Sequence, residues 1–144
     1  MNKKLFLADT TTMITRFLIY GTVGWCLEIF WTGLLAGFKG NKTLSGSTSL
    51  WMFPIYGMVV FLEPFFVLFG GLPFFVRGVA YMLFIFGAEY ISGLTLLGTV
   101  GVCPWDYSHA KLNIAGVIRL DYAPVWFGVG LFYEWLFKVL ITLL

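Results

Sequence analysis

The chain has 144 residues, of which 60% are hydrophobic and only 11% are charged, and its mean hydropathy is +0.90. Soluble domains are about 45–50% apolar and about 25% charged, so this composition predicts an integral membrane protein and leaves no room within the chain for a second, soluble domain. The formal net charge of +2 argues against a nucleic-acid-binding surface, which needs a clustered basic face.

The segment before the first apolar stretch, residues 1–12, lacks the long apolar core and the small-residue cleavage site of a signal peptide. We predict a retained polar or interfacial tail whose last residues, Asp9 to Thr12, cap the first helix. Cys26 falls deep in an apolar stretch, whereas Cys103 falls in a loop. This difference in depth predicts two free thiols rather than a disulfide or a metal site.

Four stretches are long and apolar enough to cross a membrane, which takes about 20 helical residues. They are residues 17–37, 50–70, 74–98 and 123–144, with a polar insert over 99–122. Pro54 and Pro64 interrupt the second stretch and predict a kinked or locally broken helix. We expect residues 112–120 of the insert to form an interfacial or re-entrant segment. The predicted fold is therefore all-α, a polytopic integral membrane protein with four transmembrane helices.

The connections and charges of these stretches bear on topology. The turn over residues 70–73 is so short that the second and third spans must be antiparallel neighbours. An even number of spans places Lys3, Lys4, Arg16 and Arg77 on one side of the membrane and Lys39, Lys42, Lys111 and Arg119 on the other. Because this distribution is balanced, the positive-inside rule does not assign an orientation.

Each predicted span carries one glutamate: Glu28, Glu63, Glu89 and Glu134. At a rise of about 1.5 Å per residue, each lies within about 5 Å of the centre of its span, so we expect the four to share one layer near the midplane. A carboxylate in hydrocarbon is costly and usually faces a partner, a water-filled cavity or a substrate. The layer is therefore the main candidate for function.

Basic partners for these carboxylates are few. Lys138 follows Glu134 by four residues, which predicts an ion pair along one helix face. We expect Arg16 and Arg77 to lie two or more helical turns from the glutamate layer. Their long side chains could then extend toward water. The three other glutamates then have no obvious basic partner, so they are either protonated or compensated by bound cations.

Three interpretations of the layer remain open. It relays protons or binds a cation during transport; it provides a general acid and base, with Glu28 and Glu89 as candidates; or its carboxyl groups only join helices by hydrogen bonds. Partners for the last interpretation are Tyr20, Trp25, Tyr56, Tyr81, Tyr90, Ser92 and Tyr133. A metal held by carboxylates alone would be a hard, oxygen-seeking cation rather than zinc.

Two polar segments lie between the spans. Residues 103–108, Cys-Pro-Trp-Asp-Tyr-Ser, predict either a capped interfacial turn anchored by Trp105 and Tyr107 or a lid over a midplane cavity. In the lid interpretation Asp106 lies at the cavity mouth, and His109 and Lys111 supply donors for an anion or a lipid headgroup. The first loop, residues 37–49, is rich in Gly, Ser and Thr and predicts a solvated linker, with phosphate binding by its hydroxyl groups as the alternative.

Short motifs over nearly the whole chain after Thr12 resemble those of known membrane-protein families. They are Gly24-Trp25-Cys26-Leu27-Glu28, Ser47-Thr48-Ser49-Leu50-Trp51 with Ile55-Tyr56-Gly57, Glu89-Tyr90 with Gly93, Cys103-Pro104-Trp105-Asp106-Tyr107-Ser108, and Leu120-Asp121-Tyr122-Ala123. In these motifs the chain resembles the transmembrane protein 229 family and the bacterial CmpB-like, type IV ABC-transporter family. Asp121 departs from the family pattern, which often has glutamate there.

The resemblance implies a small polytopic membrane protein that is located in the bacterial cell membrane. The chain has no Gly-x-x-x-x-Gly-Lys-Ser/Thr motif, so an ATPase would have to be a separate partner. We predict a homodimer in contact with membrane lipid, because Gly21-x-x-Gly24 and Gly128-x-Gly130 allow close helix approach. No cofactor or metal is assigned.

Our functional hypothesis is a small transporter or channel-like protein that is linked to protons or cations. The alternatives are an intramembrane enzyme acting on a lipid or prenyl substrate, with Glu28, Glu89 and Asp106 as catalytic candidates, and an accessory membrane subunit. The predicted substrate- or ion-binding residues are Glu28, Glu63, Glu89, Glu134, Trp105, Asp106, Tyr107 and His109.

Overall fold

The first helix begins at a capping residue, as the sequence predicts. The computed structural model describes residues 9–144, and helix α1 runs over Thr10–Phe38. The Asp9 carboxylate accepts a 3.1 Å hydrogen bond from the backbone N–H of Thr12, which satisfies one of the unpaired amides of the first turn. The predicted cap is confirmed, whereas the predicted tail before it, with Lys3 and Lys4, lies outside the described residues.

Within residues 9–144, three helices are long and apolar enough to cross a membrane: α1, α4 (Phe74–Thr99) and α5 (Ala123–Leu143, preceded by a 3₁₀ turn over Leu120–Tyr122). The second predicted span is shorter and broken into α2 (Met52–Gly57), a 3₁₀ segment (Met58–Leu62) and α3 (Glu63–Leu68). Pro64 has no N–H group and cannot donate a hydrogen bond to the carbonyl oxygen of the residue four positions before it. This missing hydrogen bond accounts for the loss of α-helical geometry just ahead of α3. The prediction of a helical membrane protein is confirmed.

The polar insert contains a small β-hairpin, which is not evident from the sequence. Strands β1 (Asn113–Ile114) and β2 (Ile118–Arg119) pair antiparallel. The backbone N–H of Val117 donates to the carbonyl oxygen of Ile114, and both residues between them, Ala115 and Gly116, have positive φ, as a type I′ turn requires. Each strand has only two residues, which is too few to show the alternation of apolar and polar residues by which strands are predicted from sequence.

The chain forms two compact units, which divide between Leu62 and Glu63. In unit 1, α2 packs antiparallel to α1. The Phe53 ring lies 4.8 Å from the Trp25 ring and fills the space above Gly21, while Phe17 lies against Gly57.

Unit 2 contains α3, α4, the hairpin and α5. Phe66 of α3 packs between Tyr81 of α4 and Phe137 of α5, with ring centroids 5.0 and 5.8 Å apart. The α3–α4 contact agrees with the close pairing that the short turn over residues 70–73 predicts. A second cluster joins Val117 and Ile118 of the hairpin to Phe86 of α4. The hairpin is therefore packed onto a predicted span rather than separate from it.

Candidate functional site

An extended segment that follows α1 folds back along that helix. We call residues 44–49 the strap. Leu44 lies against Gly37, Gly46 against Ile29, and the Trp25 indole N–H donates a 3.0 Å hydrogen bond to the Ser49 carbonyl oxygen. Extended chain of this length covers about 17 Å, and the helix from residue 25 to residue 37 covers about 18 Å. The strap thus runs antiparallel to α1 over about three turns.

The sequence explains why an extended chain fits so closely to the helix. A side chain at Gly46 would collide with the carbonyl oxygen of Ile29, and one at Gly33 would come within 2.8 Å of the Leu44 carbonyl oxygen. Thr32 links the two segments, because its hydroxyl group accepts from the Ser47 N–H at 2.8 Å and donates to the Ser47 carbonyl oxygen at 3.0 Å. The strap is therefore packed along α1, while Leu44, Ser45 and Ser47 are exposed, as the prediction of a solvated linker requires.

Glu28 lies where the strap approaches the middle of α1. Thr48 of the strap donates a 2.7 Å hydrogen bond to Glu28 Oε2, and Tyr56 of α2 donates to the same oxygen at 3.1 Å. Glu28 is half-buried, and the described residues of the chain provide no hydrogen bond to its Oε1. It lies four residues beyond the midpoint of α1, about 6 Å along the axis.

Non-helical backbone beside the middle of a membrane-spanning helix is found only in particular surroundings. Exposed peptide groups cannot face lipid, so an extended segment inside a span must be covered by protein or must line a water-filled cavity. Ser47 is exposed and Thr48 and Ser49 are half-buried. Together with Glu28, these groups form a polar strip on unit 1 that can hold water, a proton or a cation.

Glu134, in contrast, is a fully paired carboxylate. It is 2% exposed, and its Oε1 accepts hydrogen bonds from Lys138 Nζ at 2.6 Å and from Arg77 Nη1 at 2.5 Å. The predicted pair with Lys138 is confirmed. The expectation that Arg77 extends away from the carboxylates is wrong, because the packing of α5 on α4 brings Glu134 within reach of its side chain.

The two other glutamates have different surroundings. Glu89 is half-buried on α4, and its Oε2 accepts a 3.1 Å hydrogen bond from the Trp126 indole N–H. Glu63, the first residue of α3, is 1% exposed. Glu89 lies twelve residues beyond Arg77, about 18 Å along α4, and shares no hydrogen-bond partner with Glu134.

A metal site is not evident from these positions. Among residues 9–144, no group of three or more His, Cys, Asp or Glu side chains is arranged to hold a metal ion. Both cysteines are free, as predicted. Glu134 and Glu89 of unit 2 therefore occupy distinct surroundings, since the first is ion-paired and the second is bonded to an indole.

The residues of the 103–108 motif hold the insert together. The Trp105 indole N–H donates to the Val117 carbonyl oxygen at 2.9 Å, and the Tyr107 backbone N–H donates to the Gly116 carbonyl oxygen at 2.8 Å. The Trp105 ring also lies against Gly93 of α4. These contacts are those of the capped, anchored turn, the first of the two interpretations of this motif.

Charge in the insert is arranged locally. The Asp106 carboxylate accepts a 2.9 Å hydrogen bond from the Ser108 N–H, and the hydrogen bonds from Ser108, together with the nearby His109, lower the pKa of Asp106. His109 itself is exposed. Burial raises the pKa of the Cys103 thiol, and the carboxylates of Asp106 and Glu89 add to this effect. A nucleophilic cysteine needs the opposite shift.

Some of these contacts are predictable from the sequence, and others are not. Tyr56 was among the predicted hydrogen-bond partners and does bind Glu28. Thr48 and Trp126 were not predicted as partners of the glutamates, and Gly46 was not predicted to contact α1. The signal for the first two was the alternation of small and hydroxyl residues over 45–49, which is equally typical of a linker.

The Gly-rich faces that suggested a homodimer are used differently. Gly24 is covered by the Tyr56 ring and Gly130 by Tyr81, each within its own unit. Gly128 is exposed, with open space where a side chain would extend. The homodimer stays a prediction.

Comparison with known proteins gives one family. The family described as "Putative ABC-transporter type IV", the CmpB family, matches residues 15–144. No solved structure matches the chain. The resemblance to the transmembrane protein 229 family stays a prediction.

Proposed function

We propose that this chain, which belongs to the ABC-transporter type IV family of membrane proteins, is a transport protein that binds a proton or a small cation at Glu28. One observation carries the proposal: a half-buried carboxylate near the middle of a membrane-spanning helix is held by hydroxyl groups and lies beside an extended strap. Ion and substrate sites of transporters are often built where helical structure is interrupted at such a depth.

The bonding of Glu28 supports a reversible ligand. Thr48 and Tyr56 both donate to Oε2, so these two bonds hold the carboxylate in one orientation and leave Oε1 open to a proton or a cation. Hydroxyl donors do not neutralise the charge, whereas Arg77 and Lys138 neutralise Glu134. Of these two carboxylates, Glu28 is therefore the one suited to take up and release positive charge.

The strap adds a further oxygen beside Glu28. Hard cations prefer oxygen ligands, and the Thr48 hydroxyl oxygen lies 2.7 Å from Glu28 Oε2. A monovalent cation or a proton matches the single negative charge of this site. The family description also fits a separate ATPase partner, which we include in the proposal as the source of energy.

Carbodiimide labelling tests this assignment in the purified chain. Dicyclohexylcarbodiimide reacts with protonated carboxyl groups in apolar surroundings, and mass spectrometry locates the adduct. We expect modification of Glu28 that Na⁺ or K⁺ suppresses, and no modification of Glu134, because that carboxylate is buried and bonded to Arg77 and Lys138. Labelling that omits Glu28, or that neither pH nor these ions change, would contradict the proposal.

A second measurement separates transport from the alternatives. In extracts with added phospholipid, an intramembrane enzyme would yield a chemically altered lipid without any ion gradient. An accessory subunit would show no cation-dependent labelling of Glu28 and would only lose stability when Glu28 is replaced by Gln. Either result would overturn the proposed transport function.

A further inference from the structure

Helices α4 and α5 of unit 2 lie side by side over only part of their length. Glu134 of α5 reaches Arg77 near the start of α4, and Ala123, the first residue of α5, packs against the cluster around Phe86. Phe86 is close to the midpoint of α4, which continues for about 20 Å beyond it to Thr99. The second half of this span therefore extends past the start of α5.

The polar insert packs along this second half of α4. Val117 and the Trp105 ring lie against Gly93 of α4, and Val117 also belongs to the cluster around Phe86. Other residues of this half of α4 are exposed and apolar, as expected within a membrane: Ile91, Leu94 and Leu97. A segment that is largely non-helical thus lies beside the second half of an apolar span.

Backbone of this kind at membrane depth is either covered by protein or in contact with water. Several polar and charged side chains of the insert are exposed: Asp106, Ser108, His109 and Lys111. Lipid tails offer such groups no hydrogen bonds, so these side chains need water around them. The insert is therefore hydrated, while its inner residues Val117 and Ile118 reach the level of Phe86.

Glu89 lies at the inner end of the insert, about 4 Å beyond the midpoint of α4. It is half-buried. Within residues 9–144 it forms no ion pair, and its hydrogen-bond donor is the Trp126 indole N–H. Cys103 of the insert packs on the same cluster as Trp126 and lies within electrostatic reach of Glu89. Because an indole carries no charge, a carboxylate at this depth still needs a compensating partner.

We propose that water reaches Glu89 along the insert and that this carboxylate exchanges a proton with the aqueous phase by that route. Three hydroxyl residues follow Glu89 on α4 at spacings of three or four residues: Ser92, Thr95 and Thr99. Each donates to a carbonyl oxygen of its own helix, so its own oxygen can accept a hydrogen bond from water. Thr95 and Thr99 are exposed, and they extend the polar groups from Glu89 to the end of α4.

The groups around Glu89 fit reversible protonation. The titratable side chains on the elements packed around it are Cys103 and Asp106 of the insert, Tyr122 beside Trp126, and Tyr90 of α4. None of them is basic, so none holds Glu89 permanently ionised as Arg77 and Lys138 hold Glu134. This site lies in unit 2 and does not depend on the proposed role of Glu28.

Carbodiimide capture tests whether water reaches Glu89. The full chain is placed in lipid nanodiscs, which leave both membrane faces open, and is treated with a water-soluble carbodiimide and taurine. An activated carboxyl group in contact with water is captured by taurine as an amide, whereas one in a dry site rearranges to an N-acylurea, and mass spectrometry distinguishes the two. We expect the taurine amide at Glu89 and at the exposed Asp121, and none at Glu134. The yield at Glu89 should fall as the buffer pH is raised, since carbodiimides activate the protonated form.

Blocking the route at Cys103 is the second arm. In a Cys26→Ser chain, a charged methanethiosulfonate reagent in alkaline buffer converts Cys103 to a mixed disulfide. We expect this adduct to remove most of the Glu89 product and to leave the Asp121 product unchanged, and dithiothreitol should restore the Glu89 yield.

The proposal fails if Glu89 gives only the N-acylurea or no product, if its yield does not change with pH, if the charged reagent does not reach Cys103, or if full modification of Cys103 leaves the Glu89 yield unchanged. Glu28 is read on a separate peptide, so its labelling and that of Glu89 fail or succeed independently.

Discussion

Thr48 and Glu28 are joined by a 2.7 Å hydrogen bond that links an extended segment to the middle of a membrane-spanning helix. The two residues are twenty positions apart, and the chain between them leaves α1, turns and returns along the same helix. This return places hydroxyl and carbonyl groups beside a carboxylate at a depth where lipid offers no hydrogen bonds.

Ion flux should depend on the Thr48–Glu28 pair. In proteoliposomes with an internal pH-sensitive dye and an imposed Na⁺ or K⁺ gradient, we expect Glu28→Gln to abolish cation-linked proton flux, because the amide cannot exchange a proton. Thr48→Val should reduce it about tenfold by removing a hydrogen bond to a charged group. Thr22→Val, an exposed threonine of α1, is the matched control, and an equal loss in all three variants would indicate a structural effect instead.

The strap should be intolerant of a side chain at Gly46. A methyl group there would meet the carbonyl oxygen of Ile29, so we expect Gly46→Ala to destabilise the chain by about 1–3 kcal/mol, the usual cost of overpacking. Gly128→Ala adds the same methyl group to an open helical position and should be neutral or slightly stabilising. Unfolding in a denaturing detergent measures both variants, and similar stabilities would show that the strap does not pack as described.

The ion pair of Glu134 should contribute far more to the stability of the fold than an ion pair at the surface does. Glu134→Leu leaves the largely buried Arg77 without its carboxylate, and we expect a loss of about 3 kcal/mol or more. Asp121→Leu breaks the exposed pair with Arg119 and should change stability far less, because solvent screens that pair. The same unfolding measurement compares them, and an equal cost would contradict the burial of the Glu134 pair.

The insert should lose order only in acid. Hydrogen bonds from Ser108 lower the pKa of Asp106 in the folded chain, so the folded state binds fewer protons than the unfolded state. The stabilising contribution is therefore complete above the ordinary pKa of aspartate and is lost as pH falls below about 4. Tryptophan fluorescence of the 103–108 region should follow this transition. Asp106→Asn keeps the turn acceptor without titrating, and persistence of the transition in that variant would exclude Asp106 as its origin.

The long helices were predictable because their determinants are local. Apolar stretches of sufficient length predict α1, α4 and α5, and Asp9 marks the start of the first within one turn. The break in the second stretch was also predictable from its prolines. The ion pair of Glu134 with Lys138 followed from their spacing on one helix face.

The pairings across the fold were not predictable in the same way. Arg77 was expected to extend away from the carboxylates, yet α4 and α5 pack so that it reaches Glu134. The partnership of Trp126 with Glu89 likewise depends on how two helices pack rather than on any spacing along the chain.

Sequence alone determined that this chain is a helical membrane protein and that it carries costly carboxylates, because hydropathy and residue type follow directly from composition. Only the tertiary structure decided which carboxylate is neutralised and which is held by hydroxyl groups. The physical reason is the separation along the chain of the residues that interact. A helix is stabilised by hydrogen bonds between residues four positions apart. Glu28, in contrast, is bonded by Thr48 and Tyr56, which come close to it only because the chain folds back along α1.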